Sequence, residues 1–372
     1  MNLLIKFFSY LCLIMNIEAF MIGVATAFFS IFALHILCRG RQRTRFQTIM
    51  GIIMVVWTVW CAKDLLITFP GMYRKEVLEW IFIVDGWSAL TYTVFIFEVV
   101  MPGWTSWRRL ALLALPFAAF TVAFAILHTK PVLYAYGLFL WCYAWIVVFI
   151  GWTKMQRYLR YVRREYSNID RIDVSWLRPV FLFAIVGQLA WLIISLYAEV
   201  ASDIVYYISI IVLWLVALYY SWDFRPIDIT KEESVNSQEL PSQVQLSALR
   251  EGRLEQVVEE HKLYLRPNLS LQELAEELNT NRTYVSNYLS QQVGQTFYDY
   301  INRLRIERAA LPLIVEHPEY TFEYVAHESG FASISTFRRA FSKHTGKTPS
   351  QYVAELKREE KLRIGNTVSL RE

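Results

Sequence analysis

Up to about position 221 the chain runs in long apolar stretches broken by short polar ones. Beyond about 250, apolar residues recur at three- and four-residue spacing. A stretch of roughly 20 mostly apolar residues is long enough to cross a bilayer as a helix. Seven stretches meet that condition: 17–38, 48–69, 78–100, 110–127, 132–152, 180–198 and 204–220. Pro116 falls inside the fourth, where neighbouring helices can satisfy the carbonyl it frees. The later spacing is that of short amphipathic helices. Together the two patterns predict an all-α protein, with an N-terminal seven-helix transmembrane bundle (1–221) and a C-terminal domain of short helices (248–356).

Charge orients the bundle. Loops after the odd spans carry Arg39, Arg41, Arg43, Arg45, Arg108, Arg109, Lys154, Arg157, Arg160, Arg163, Arg164, Arg171 and Arg178. Loops after the even spans carry Arg74, Lys75 and Lys130. Thirteen cations against three put the odd loops in the cytoplasm. The N-terminus is then outside and the C-terminal domain inside, as in a multi-pass protein of a bacterial cytoplasmic (inner) membrane. Residues 1–14 are apolar with a single Lys6. They read either as a weak signal peptide or as residues upstream of a start at Met15.

Between the two parts, 222–247 is polar, holds Pro226 and Pro241, lacks apolar periodicity and reads as a tether. As a coil its root-mean-square span is about 25–30 Å. Residues 357–372 read as a polar tail.

Within 248–356 the periodic segments pair into two helix-turn-helix units. A supporting helix carries Leu254, Val257, Val258, His261 and Leu265 on one face. Ser270 and Glu273 have the spacing of a capping box. Leu271, Leu274, Ala275 and Leu278 then form a buried face, and Asn279-Thr280-Asn281 a turn. In the next helix Val285, Tyr288 and Leu289 face inward, leaving Arg282, Thr283, Ser286 and Asn287 outward. After Gly294 a connecting helix begins at Phe297, and a second unit repeats the logic. There Phe322, Val325, Ala326, Phe337, Ala340 and Phe341 pack inward; Gly330 turns; Ser333 caps; Ile334, Ser335, Arg338 and Arg339 point out. Outward polar residues on a second helix are what a recognition helix offers a major groove.

Several motifs in register make the pattern specific. Arg305-Ile306-Glu307-Arg308-Ala309, Gly330-Phe331-Ala332-Ser333, Phe337-Arg338-Arg339-Ala340-Phe341 and Gly346-Lys347-Thr348-Pro349-Ser350-Gln351-Tyr352 resemble the signature of the AraC/XylS family of bacterial transcription regulators. The resemblance covers about residues 250–356. It implies two recognition helices in successive major grooves, about 34 Å apart on double-stranded DNA. Arg282, Thr283, Ser286, Asn287, Ile334, Ser335, Arg338 and Arg339 would be the DNA contacts, with a homodimer on DNA and RNA polymerase as further partners. One position departs: Pro312 lies in the connecting helix, where a proline costs about 3 kcal/mol and implies an early end or a kink. From Arg250 to Glu372, Lys plus Arg and Asp plus Glu each number 17, so phosphate affinity must come from a local patch.

In the bundle, Lys63, Asp64, Asp85 and Glu199 fall toward the outer ends of spans. Ionisable residues there face the bundle interior or water. They read either as a pocket for a small-molecule or membrane signal, or as a structural Lys63–Asp85 pair with interfacial snorkelling. Glu98 is expected to meet Arg108 or Arg109. The four cysteines (Cys12, Cys38, Cys61, Cys142) and the histidines lack metal-ligand spacing, and no hydrolase, kinase or phosphate-loop motif occurs. No cofactor, metal or enzymatic activity is therefore expected. The leading reading is a membrane-integrated one-component regulator. A transporter whose reader reports substrate, and a reader released by proteolysis, remain alternatives.

Overall fold

The structure, a computed structural model, describes the backbone of residues 2–38, 44–68, 74–197, 201–222, 224–225, 227 and 252–369. By its internal contacts the chain divides into two compact units: 1–158 with 174–228, and 159–173 with 229–372.

The first unit is built from α1 (Asn2–Leu37), α2 (Arg45–Asp64), α3 (Lys75–Gly86), α4 (Ala89–Val100), α5 (Trp107–Leu127), most of α6 (Lys130–Glu165), α7 (Leu177–Tyr197) and α8 (Ala201–Ser221). α1 lies along α2 and also meets α8. Among the described residues, six helices are long and apolar enough to cross a membrane: Ala19–Leu37, Arg45–Asp64, Lys75–Val100, Trp107–Leu127, Lys130–Glu165 and Ile204–Ser221. Along α7 the apolar stretch within the described residues is shorter, Leu177–Gly187. Large apolar side chains such as Ile31, Leu34, Leu112, Ile126, Leu138 and Phe149 point outward on these helices. Water would oppose that arrangement; lipid would favour it. Inside, Trp57 stacks on Phe29 and meets the edges of Tyr92 and Trp214, while its Nε1 donates to Thr91 Oγ1 at 3.0 Å.

The third apolar stretch is helical throughout except for a break at Trp87-Ser88. Tyr136 causes it. Its hydroxyl donates to the Ile83 carbonyl at 3.0 Å, the acceptor that the Trp87 amide would use in a continuous helix. The Trp87 amide turns to Val84 O instead, at 3.1 Å. Gly86 leaves room for the intruding ring, since a Cβ there would lie 2.1 Å from Tyr136 Oη. A side chain inserted into the ladder is one of the few causes of a sharp break.

Glu98 corrects an expectation. Its partner is Arg45, whose Nε lies 3.1 Å away, and it also accepts from the Gly103 and Thr105 amides at 2.9 Å each. The turn between α4 and α5 folds back over the carboxylate and satisfies it with backbone donors. Arg109 instead donates to Trp104 O at 2.6 Å.

The second unit contains α9 (Arg253–Glu260), α10 (Leu271–Glu277), α11 (Arg282–Tyr288), α12 (Phe297–Leu304), α13 (Leu311–Glu316), α14 (Phe322–Glu328), α15 (Ile334–Thr345) and α16 (Pro349–Ser369). Among the described residues, two hydrophobic cores lie in it. One gathers Leu254, Val258, Leu271, Leu274, Val285, Phe297 and Ile301; the other gathers Ile306, Ile314, Val325, Phe331, Phe337 and Phe341. α16 runs on through most of the segment read as a tail.

Candidate nucleic-acid interface

The first helix-turn-helix is set by its caps. Ser270 accepts the Glu273 amide at 3.2 Å and Glu273 returns to the Ser270 amide at 2.8 Å, the reciprocal box that satisfies two orphan donors. Asn279 takes φ +51° to reverse the chain, and Asn281 caps α11 through Tyr284 N at 2.8 Å. Val285 and Leu289 are buried beneath α11, whereas Thr283 and Asn287 are exposed and Arg282 and Ser286 half-buried.

The second unit is held in the same way. Thr321 caps α14 and Ser333 caps α15, each accepting the amide three residues on. Gly330 turns between them with φ +82°, and a Cβ there would come within 2.7 Å of Tyr264 O and 2.8 Å of Leu265 Cα. Only glycine meets both conditions. Ser335, Arg338 and Arg339 are exposed on α15. Ile334 is half-buried against the second core and contributes mainly packing.

Between the units the chain stays helical from α12 to α13 through a π-helical turn at Arg305–Ala310. The Leu311 amide donates to Ile306 O, five residues back. Pro312 consequently stands in the first turn of α13, directly after the wide turn. The proline neither ends the connection nor breaks it; the wide turn absorbs it.

Arg305 marks the seam between the cores, with Leu304 in one and Ile306 in the other. Its side chain is buried, and among the described residues no carboxylate hydrogen-bonds to it. Nε donates to Tyr264 O at 2.7 Å; Nη1 to Asn302 Oδ1 at 3.0 Å and Ser167 O at 3.3 Å; Nη2 to Arg266 O at 2.7 Å, Ser167 Oγ at 3.2 Å and Pro267 O at 3.3 Å. Burial pushes the guanidinium down to about 10, so it remains charged near neutrality, solvated by carbonyl dipoles.

Residues 159–173 belong to this unit, although in sequence they form the end of α6 and the loop behind it. Tyr166 bridges Ser270 as a short strand pair, and Ser167 donates to Leu269 O from both its amide (3.1 Å) and its hydroxyl (2.7 Å). Asn168 Nδ2 donates to Asn268 Oδ1 at 2.9 Å. Three acidic residues then reach the two second helices. Glu165 pairs with Arg282 at 3.1 Å, with side chains only 11% and 16% exposed. Asp170 accepts from the Thr336 hydroxyl, and Asp173 lies 3.6 Å from Arg339. Nothing in the local pattern of 159–173 signals these partners, which lie over 100 positions away.

In the first unit, Lys63 Nζ lies 2.6 Å from Asp85 and also pairs with Asp64, whose other oxygen accepts from Tyr207 Oη at 2.8 Å. Three of the four sequence-predicted residues therefore meet in one cluster. Glu199 lies outside the described residues.

Residues 274–355 match a helix-turn-helix domain family. An uncharacterized helix-turn-helix-type transcriptional regulator of Staphylococcus aureus strain COL is 32% identical over 106 residues, covering 28% of this chain and 14% of the relative. A second regulator of Staphylococcus aureus is 33% identical over 109 residues, with the same shares. The Msm operon regulatory protein of Streptococcus mutans is 25% identical over 89 residues, 24% of this chain and 31% of the relative. The chain thus spans about one seventh of the length of the staphylococcal relatives it matches. No solved structure matches it.

Proposed function

The C-terminal region of this chain is an AraC-type helix-turn-helix domain, and from that premise we propose that the protein is a membrane-integrated one-component transcription regulator. α11 and α15 act as recognition helices in successive major grooves of promoter DNA. Arg282, Thr283, Ser286 and Asn287 contact one groove, and Ser335, Arg338 and Arg339 the next, with Ile334 supporting. The observation that carries this reading is the tandem arrangement: two capped helix-turn-helix units share one helical connector, and each exposes polar residues on its second helix. Charge balance across the soluble part is neutral, so specific contacts and dimerisation, rather than bulk charge, supply affinity.

The N-terminal part, 1–221, spans the membrane seven times with the reader in the cytoplasm, a reading that the asymmetry of loop cations supports. It serves as sensor or anchor, with 222–247 as the link to the domain at 248–356. Lys63, Asp64 and Asp85 form the polar cluster at which a small-molecule or membrane signal acts, and Glu199 is assigned to it on sequence alone.

The test uses the full-length protein in lipid nanodiscs, incubated with a random double-stranded DNA library. Enriched sequences should carry two short motifs about one helical turn apart, and binding should weaken steeply with salt. Arg338→Ala should lower affinity, flattening the salt dependence if it contacts phosphate or relaxing one position if it reads a base. A library without sequence enrichment would sink the reader assignment.

A further inference from the structure

The face assigned above to DNA already has an occupant within the same unit. Arg282 opens α11 and Arg339 lies on α15, and these two cations are the ones paired with Glu165 and Asp173. Asp170, between them in sequence, accepts from Thr336 in the first turn of α15. One segment of nine residues, 165–173, thus places an acid at each of the two recognition helices. Carboxylate and phosphate offer a guanidinium the same kind of paired acceptor oxygens, so they compete for it.

We propose that residues 165–173 are an internal acidic cover, which holds Arg282 and Arg339 off the DNA backbone until the end of α6 withdraws it. The inference rests on the reading of α11 and α15 as recognition helices. The segment is seated by contacts apart from those ion pairs. Ser167 binds Leu269 and Arg305, and Asn168 binds Asn268. Docking and masking are therefore separable. The two masks are unequal: Glu165–Arg282 is close and mostly buried, whereas Arg339 is 59% exposed and 3.6 Å from its acid. Exposed pairs at that separation are weak, so the cover acts chiefly on the first unit. The same segment also carries Arg163, Arg164 and Arg171 on or beside it.

The experiment compares DNA binding by full-length wild type and Glu165→Gln/Asp173→Asn in nanodiscs, with the DNA enriched by either protein. The double variant should bind about three- to tenfold tighter, the range that release of one well-made and one loose ion pair supports. Hydrogen exchange in α12 should be unchanged, which shows that docking survives. Equal or weaker binding by the variant would overturn the cover. A second arm joins Asn168→Cys to Asn268→Cys with a short reducible bis-methanethiosulfonate, after the four native cysteines are replaced by serine. Bridged protein should bind DNA at least about tenfold more weakly than the same protein after reduction; unchanged binding on bridging would also overturn it. Should wild type bind selectively and neither arm move as expected, this inference alone falls. Should no variant select DNA, the reader assignment falls with it.

Discussion

Arg305 donates to both the carbonyl and the hydroxyl of Ser167, a residue 138 positions earlier in the chain. The same guanidinium also holds Tyr264, Arg266 and Pro267, so a single side chain ties the loop behind α6, the approach to α10 and the connecting helix. Arg305→Ala would leave several buried carbonyls without donors, at roughly 1–3 kcal/mol for each left unsatisfied. The expected loss for the second unit is on the order of 3 kcal/mol or more. Ser167→Ala, which leaves the other acceptors in place, should cost about 1 kcal/mol. Hydrogen exchange across α12 in the full chain checks both. Equal protection in the two variants would contradict the hub.

Gly330 couples the two helix-turn-helix units by contact rather than by charge. Its φ of +82° disfavours any side chain, and the nearest obstacles are backbone atoms of Tyr264 and Leu265, which cannot rotate away. Gly330→Ala should therefore cost more than the roughly 1 kcal/mol of a left-handed residue alone. The approach to α10 should loosen together with α14. Deuterium uptake at 262–269 and 322–331 measures it; a change confined to 322–331 would argue against the coupling.

Local rules read the second unit well because its elements are fixed by neighbours in sequence. The Ser270–Glu273 box, the Ser333 cap and the inward faces of α10, α11 and α15 all follow from spacing within four residues. Features set by distant partners were illegible. Tyr136 breaks the helix at Trp87 from another element, and Glu98 takes Arg45 instead of the nearer Arg108 or Arg109. Pro312 carries a local rule, but the π turn at 305–310 satisfies it in a way that the rule does not anticipate. The acids of 165–173 sit in a loop whose sequence signal was its positive charge, and that signal concealed them.

His344 gives the reader a pH dependence of known sign. Burial first, and Lys343 beside it, hold its imidazole below the ordinary value of 6.5. The unfolded chain then binds more protons than the folded one as pH falls through about 6.5 toward the folded value. Its contribution to stability is complete above that window and declines on acidification. His344→Gln should flatten the decline as pH falls below about 6.5 without altering stability at pH 8. Exchange rates of α15 amides, corrected for intrinsic pH effects, provide the measurement. An identical acid dependence in wild type and variant would rule out His344 as the cause.

Lys63 stands between two carboxylates, Asp64 and Asp85, and Asp64 is held in turn by Tyr207. Removing the cation leaves two acids close together, Asp64 buried and Asp85 half-buried, which is worse than removing a whole pair. Lys63→Met should thus destabilise the first unit by on the order of 3 kcal/mol. Asp85→Asn alone should cost less, because Lys63 keeps Asp64. Combining Lys63→Met with Asp85→Asn should recover part of the loss, giving a coupling on the order of 1–2 kcal/mol in a double-mutant cycle. Thermal unfolding in nanodiscs, followed by the fluorescence of Trp57 and its neighbours, reports it. Strict additivity of the two substitutions would show that the pair is geometrically close without being energetically joined, and the cluster would lose its standing as a unit on which a signal could act.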